Sequence, residues 1–275
     1  GCPDWPTCFG RWFPPTSVSQ LPPDIDPAKF NFALAWIEYV NRLCGVTLGF
    51  LIAATGFWAI FRFRRNPHIL IPSVLAALLV AYQGWQGSQV VSSQLKPLIV
   101  SIHMGLAFVI ASLMIYVTQQ AWYLEKPDVT EKTSGIHLPW YAIALAAIAI
   151  VQVIIGTQVR SDLEQVADAF PLLPQREWMG KVGGVSVFHT LLGVIVTLAT
   201  WQVGAKIVRQ AKEALTTQAA WGAMILAAAQ VLIGAILTLA GVPGVLRLFH
   251  LLISSLYVGM MVMLFSALRR EGKTV

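Results

Sequence analysis

Long apolar runs separated by short polar segments organise this chain of 275 residues. The runs lie near 33–61, 69–85, 97–124, 138–159, 182–208, 219–240 and 245–268. Each approaches or exceeds the ~20 residues that carry a helix across a hydrocarbon core, so the pattern predicts seven membrane-spanning helices. The polar segments punctuate them. Residues 1–34 are rich in proline, with Pro14-Pro15 and Pro22-Pro23, which excludes a helix there. Arg62, Arg64 and Arg65 stop the first run, and Gln86 to Lys96 follows the second as a polar stretch. Glu125 to His137 is a hydrophilic linker, and Arg160 to Lys181 reads as a long acidic loop.

Composition agrees with an all-α polytopic membrane protein. Hydrophobic residues make up 56% of the chain and charged ones 12%, where a soluble domain has about a quarter charged. The net charge of +6 does not indicate a nucleic-acid partner, because the basic residues are dispersed at helix ends. They set orientation instead. Arg62, Arg64, Arg65, Lys206, Arg209, Lys212, Arg269, Arg270 and Lys273 fall on one side, and Asp4, Asp24, Asp26, Asp162, Glu164, Asp168 and Glu177 on the other. An excess of lysine and arginine marks the cytoplasmic side, which puts the C-terminus in the cytoplasm and residues 1–34 outside it. In that outer loop Cys2 and Cys8 share one polar segment, in a compartment that permits a disulfide. Lys126 and Lys132 add little to the bias of the linker at 125–137.

The chain also repeats. Gln83-x-x-x-Gly87 and Gln230-x-x-x-Gly234 each precede a histidine, His103 and His250, by 20 residues. Asn41-x-x-x-Gly45 and His189-x-x-x-Gly193 stand 42 and 41 residues before the two glutamines. The first three spans therefore match the last three, and the span at 138–159, with Gln152 and Gly156, lacks a partner. Internal symmetry of this kind predicts two pseudosymmetric four-helix bundles whose first helix would precede Gly1; a chain of seven helices is the alternative. Four parts follow: an outer loop at 1–34, an N-terminal half-bundle at 35–124, a cytoplasmic linker at 125–137 and a C-terminal four-helix bundle at 138–275.

An ionisable residue inside a spanning helix is costly and by default marks a site. Asn41, His103, His189 and His250 each lie six to eight residues into a helix from its outer end, at a depth of about 10 Å. Two imidazoles facing across a four-helix bundle, His189 and His250, suit axial ligation of a heme iron. Zinc would want more ligands, and neither cysteine nor carboxylate accompanies the pair. Arg247, one turn before His250, and Arg42, beside Asn41, are candidates to meet heme propionates, or are interface residues with their charges directed outward. The first half differs. It has His103 opposite Asn41, and it has Glu38 one turn away, either a chemical acid or an i,i+4 partner of Arg42.

At these residues the chain resembles the heme A synthase family. The resemblance is carried by Cys2-Pro-Asp-Trp-Pro-Thr-Cys8-Phe-Gly, Glu38-Tyr-Val-Asn-Arg42, Gln83-Gly-Trp-Gln-Gly87, the segment around His103, Gln152 to Arg160, Phe188-His189-Thr190 and Arg247-Leu-Phe-His250. It covers essentially the whole chain. It implies eight helices in two halves, a heme b cofactor held by His189 and His250, and heme O as substrate beside His103, with these three histidines as iron ligands. It also implies a role in activity for Glu38 and a loop cysteine pair, Cys2 and Cys8. The implied reaction oxidises a porphyrin methyl group to a formyl group, giving heme A for terminal oxidases, in a bacterial inner membrane. A heme O synthase, an electron donor and membrane lipid are the implied partners, and a homo-oligomer is left open. One residue departs from the pattern: Asn41 stands where the family carries a histidine, so the substrate heme would have His103 as its one histidine ligand. A diheme b-type electron carrier, or a heme-handling scaffold subunit, is the rival reading.

Overall fold

Caps and prolines set where the helices begin. In the computed structural model, which describes residues 2–23, 25–125 and 139–271, Asn31 accepts the amide of Leu34 at 3.0 Å and opens α1 (Phe32–Arg62). Proline takes the first helical position of α2 (Pro67–Ser92), α3 (Pro97–Leu124) and α4 (Pro139–Ala169), where its missing N–H leaves no bond unmade. A short α5 (Gln175–Trp178) precedes α6 (Gly184–Gln210), α7 (Ala214–Ala240) and α8 (Gly244–Glu271). Gly241 ends α7 at φ +77°, in the left-handed conformation that a helix C-terminus favours. Among the described residues there are no strands, and seven of the helices are long and apolar enough to cross a membrane.

These helices turn large apolar side chains outward. Phe50 and Leu239 are 73% and 82% exposed. Such surfaces would associate in water and are ordinary against lipid. The protein is an all-α polytopic membrane protein.

Most of the linker at 125–137 lies outside the described residues, as do Asp24 and Lys273. Two expected loops are corrected. The polar stretch after Trp85 continues α2 to Ser92, because its serines bond within the helix: Ser88 donates to the Trp85 carbonyl at 2.7 Å and Ser92 to the Ser88 carbonyl at 3.0 Å. The acidic segment after Val159 continues α4 to Ala169. There Arg160 pairs with Glu164 one turn on, and Val159, Leu163 and Val166 form a buried stripe with Val182, joined by Trp178 of α5.

Contacts group the chain into two units, Gly1–Ile110 and Ala111–Val275, with the division inside α3. In the first, α1 packs on α2 so closely that a Cβ at Gly56 would meet Ala77 at 2.7 Å. In the second, α4 packs on α6, α6 on α7, α7 on α8 and α8 on α4, which closes a ring of four helices. Several polar residues inside this unit find partners, as membrane interiors favour. Thr200 and Tyr257 share a buried hydrogen bond of 2.6 Å, Gln119 donates to the Met263 carbonyl at 3.1 Å, and Glu271 accepts the Glu213 amide at the start of α7 at 2.9 Å.

Candidate functional site

In the second unit His189 on α6 and His250 on α8 meet, with ring centres 6.4 Å apart and ring planes inclined by 64°. Each is supported from a neighbouring helix by a glutamine and a glycine one turn beyond it. Gln152 of α4 donates its side-chain amide to the His189 carbonyl, and Gln230 of α7 donates to the His250 carbonyl at 2.9 Å. A Cβ at Gly156 would stand 3.2 Å from Cε1 of His189, and one at Gly234 would stand 3.6 Å from Cε1 of His250. Gly156 thus leaves space that the His189 imidazole fills, while at Gly234 a Cβ would make an ordinary contact. Gly193, one turn after His189, in turn leaves room for Gln152, whose amide nitrogen lies 3.1 Å from where a Cβ would be.

The first unit contains the same device once. Gln83 of α2 donates to the His103 carbonyl at 3.0 Å, and a Cβ at Gly87 would lie 3.5 Å from Cε1 of His103. The turn of α2 that sequence reading assigned to a polar stretch is the turn that carries Gly87 past this imidazole. The pairing of Gln152 with His189 was likewise missed. Gln152-x-x-x-Gly156 carries the motif, but its histidine lies 37 residues on rather than 20, because α5 and the end of α4 lengthen the connection.

Around Glu38 the arrangement is of another kind. Cys2 and Cys8 are joined by a disulfide, with Cα atoms 4.8 Å apart, and both are buried against Ala35 of α1. Glu38 accepts the Cys2 amide at 3.0 Å and pairs with Arg42. Arg42 donates to the carbonyls of Asp4 and Thr7, both at 2.9 Å. In this structure the Arg42 guanidinium is therefore engaged by the loop backbone. Asn41 is exposed on α1, and among the described residues no hydrogen bond joins it to His103. Arg247 is exposed and lines an open cavity of about 270 Å³ with Glu164, Gln175 and Trp178.

The loop itself is held by Asp4. Residues 8–11 form a tight turn in which Cys8 and Arg11 exchange backbone bonds of 2.8 and 3.2 Å. Phe9 and Gly10 both have positive φ, 54° and 68°, a costly conformation for phenylalanine. Asp4 accepts the amides of both, at 2.6 and 2.9 Å, together with the Thr7 hydroxyl. Partial burial raises the Asp4 pKa, but these hydrogen bonds outweigh it and hold the carboxyl below its ordinary range.

What the histidines can hold follows from their donor atoms. Nδ1 of His103, His189 and His250 is buried without a hydrogen-bond partner, which leaves Nε2 as the nitrogen available to a ligand. A metal bonded to both ring nitrogens at about 2 Å puts the ring centres roughly 6 Å apart, close to the observed spacing. Among the described residues no group of three or more histidines, cysteines or carboxylates forms a metal cluster. Two imidazoles across a four-helix bundle therefore suit an iron whose other positions a porphyrin supplies. The residues present fit that group.

Fold and site together define a polytopic α-helical membrane protein built on repeated histidine-bearing helix pairs. A model of the COX15-CtaA family, cytochrome oxidase assembly proteins, matches residues 1–262, and the chain belongs to that family. Its relatives include proteins named heme A synthase. The one from Shewanella oneidensis is 25% identical over 70% of this chain and 58% of its own length. The one from Halalkalibacterium halodurans is 23% identical over 70% of this chain and 61% of its own, and that from Bartonella tribocorum 26% over 63% and 49%. The chain thus spans less than two thirds of the length of these relatives. No solved structure matches it.

Proposed function

We propose that the chain is a heme A synthase that takes heme O as substrate and oxidises one ring methyl to a formyl group. The observation that carries this reading is the inequality of the two halves within one family fold: His189 and His250 stand 6.4 Å apart as a pair, while in the first unit His103 is the supported histidine and α1 carries Asn41 at the matching repeat position, with Glu38 one turn before it. In this reading His189 and His250 hold a resident heme b through their Nε2 atoms, and His103 holds the substrate. A bound heme b supplies one-electron transfer. The chain's own residues bind and orient the porphyrins, exclude water with an apolar bundle, and supply the Glu38 carboxyl, either to steer a proton or to stabilise developing positive charge. Arg247 offers a cation to a propionate at the outer end of α8. The loop of Cys2 and Cys8 lies outside the cytoplasm and the C-terminus within it, as the basic residues at helix ends indicate. A heme O-producing enzyme and an electron donor are the partners that this chemistry requires.

A four-histidine diheme carrier is disfavoured by Asn41 at the fourth repeat position. The test is co-expression with a source of heme O, then chromatographic separation of the extracted hemes. Heme A above the level of a host lacking the chain supports the reading, and heme O alone overturns it.

A further inference from the structure

The three histidine supports leave the same two atoms without partners. In each, the histidine Nδ1 is buried and makes no well-formed hydrogen bond, and neither does the side-chain oxygen of its glutamine: Gln83 with His103, Gln152 with His189, where the Gln152 backbone also lies near the ring, and Gln230 with His250. The chemistry of each atom is fixed. A backbone carbonyl only accepts, so the glutamine turns its NH₂ toward the histidine carbonyl, and its oxygen is left as an acceptor. An imidazole that binds a metal through Nε2 carries its proton on Nδ1, so that atom becomes a donor. One buried donor and one buried acceptor then stand on the same pair of residues, three times over. Leaving both unmade inside an apolar bundle is unfavourable, because each has given up its hydrogen bond to water. The amide is already tied to the histidine it would serve, and the terminal torsions of glutamine and histidine are soft.

The geometry points to Gln83, Gln152 and Gln230 as positioning residues for heme ligation, each accepting the Nδ1–H of its own histidine when Nε2 meets iron. The inference rests on the heme reading above and adds a role for residues outside the ligand set. One glutamine then performs two tasks: its NH₂ fixes the helix that carries the ligand, and its oxygen fixes the ring's tautomer and raises its basicity. At His189 the glycine one turn on, Gly156, also admits the ring, since a Cβ there would stand 3.2 Å from Cε1.

The full-length protein, purified with its heme, gives the test. Gln152→Met and Gln230→Met keep a similar volume and remove the acceptor. Each is expected to weaken heme binding about 10–100-fold and to shift the midpoint potential of the bis-histidine heme upward, because the ligand becomes less electron-rich. Ser254→Ala is the control. Ser254 accepts from Gln230 and donates to the His250 carbonyl at 3.1 Å, so its loss disturbs the same tether and leaves the glutamine oxygen in place. Its potential is expected to stay at the wild-type value. Gln83→Met is expected to weaken heme at the first site and leave the second-site potential alone. Nitrogen-15 spectra of the reduced, diamagnetic wild-type protein read the bond without substitution, through Nδ1–H resonances displaced as for a strong hydrogen bond. Wild-type potentials in both methionine variants, an equal shift in Ser254→Ala, or Nδ1–H resonances of a free imidazole would each overturn the inference while leaving the heme reading standing. Wild-type protein without a bis-histidine heme would overturn both.

Discussion

The two histidine regions share one supporting device and differ in what surrounds it. In the second unit two histidines meet, and the hydrogen bonds to their backbone carbonyls come from other helices of the same bundle. In the first unit one supported imidazole, His103, belongs to the same unit as a carboxylate and an arginine that an extramembrane loop holds in place. A closed pair of neutral ligands suits a resident cofactor. A single histidine ligand, in a unit that also carries an acid, suits a molecule that must arrive, react and leave. On the proposed reading, one repeat would support two chemistries, with Asn41 in the first half at the position where the second half carries His189.

The sharpest way to break the comparison is to remove the pair. His189→Ala or His250→Ala is expected to abolish the low-spin bis-histidine spectrum and leave heme bound at the first site. If both variants retain a full low-spin complement, the second unit is not the resident site. Next in size is Glu38→Gln, which keeps the side chain's shape and its ability to accept the Cys2 amide. A positioned acid or base contributes roughly 10²–10⁴-fold, so heme A yield is expected to fall by at least about 100-fold with the second-site spectrum unchanged. Normal yield at wild-type protein level would reduce Glu38 to an anchor of the loop.

A third change erases the difference rather than a site. Asn41→His restores to the first unit the residue type that the second carries, and the first-site heme is expected to shift toward low spin in its absorption and paramagnetic resonance spectra. An unshifted spectrum would place α1 out of reach of that heme.

Much of this was legible in the chain. Seven apolar runs located the seven long helices, with α3 at Pro97–Leu124 as expected, because lipid-facing helices declare themselves by length and hydropathy alone. The pairing of His189 with His250 followed from equal depth in matching spans. The extensions of α2 and α4 were not read, since serine and charged residues satisfy themselves within a helix as readily as in a loop. The buried stripe of Val159, Leu163 and Val166 was the available sign for α4. The clasp on Glu38 and Arg42 left no trace in any pattern: its partners are the backbone atoms of Cys2, Asp4 and Thr7, between 35 and 38 residues away.

The glycines offer a finer comparison. At Gly156 a Cβ would press on His189 at 3.2 Å, so Gly156→Ala must displace the imidazole. Overpacking of this kind costs about 1–3 kcal/mol, against a gain of roughly 1 kcal/mol from alanine's helix propensity. At Gly87 the gap to His103 is 3.5 Å, an ordinary contact, so the helix gain persists. Gly156→Ala is expected to lower heme affinity at the pair, and Gly87→Ala to be neutral or slightly stabilising in thermal unfolding. Equal penalties in the two variants would mean that the supports are not differently packed.

The smallest expected effect tests whether the Cys2–Cys8 loop of the first unit behaves as a separate part. Asp4 is bonded by Thr7, Phe9 and Gly10, and these bonds outweigh burial to hold its pKa below the ordinary 3.8. A carboxyl whose folded value lies below its unfolded value stabilises the fold above the unfolded value, and that contribution is lost as pH falls through the folded one. The turn at Phe9 and Gly10 should therefore keep its hydrogen-exchange protection at neutral pH and lose it below about pH 4. Asp4→Asn keeps one acceptor and removes the charge, so protection should be lower, by on the order of 1 kcal/mol, and should no longer change across that range. Throughout, the bis-histidine spectrum of the second unit should stay constant, because its ligands His189 and His250 and their supports Gln152 and Gln230 all belong to that unit. An acid transition of the same size in Asp4→Asn would assign it to another group and remove Asp4 from the account of how the loop is held.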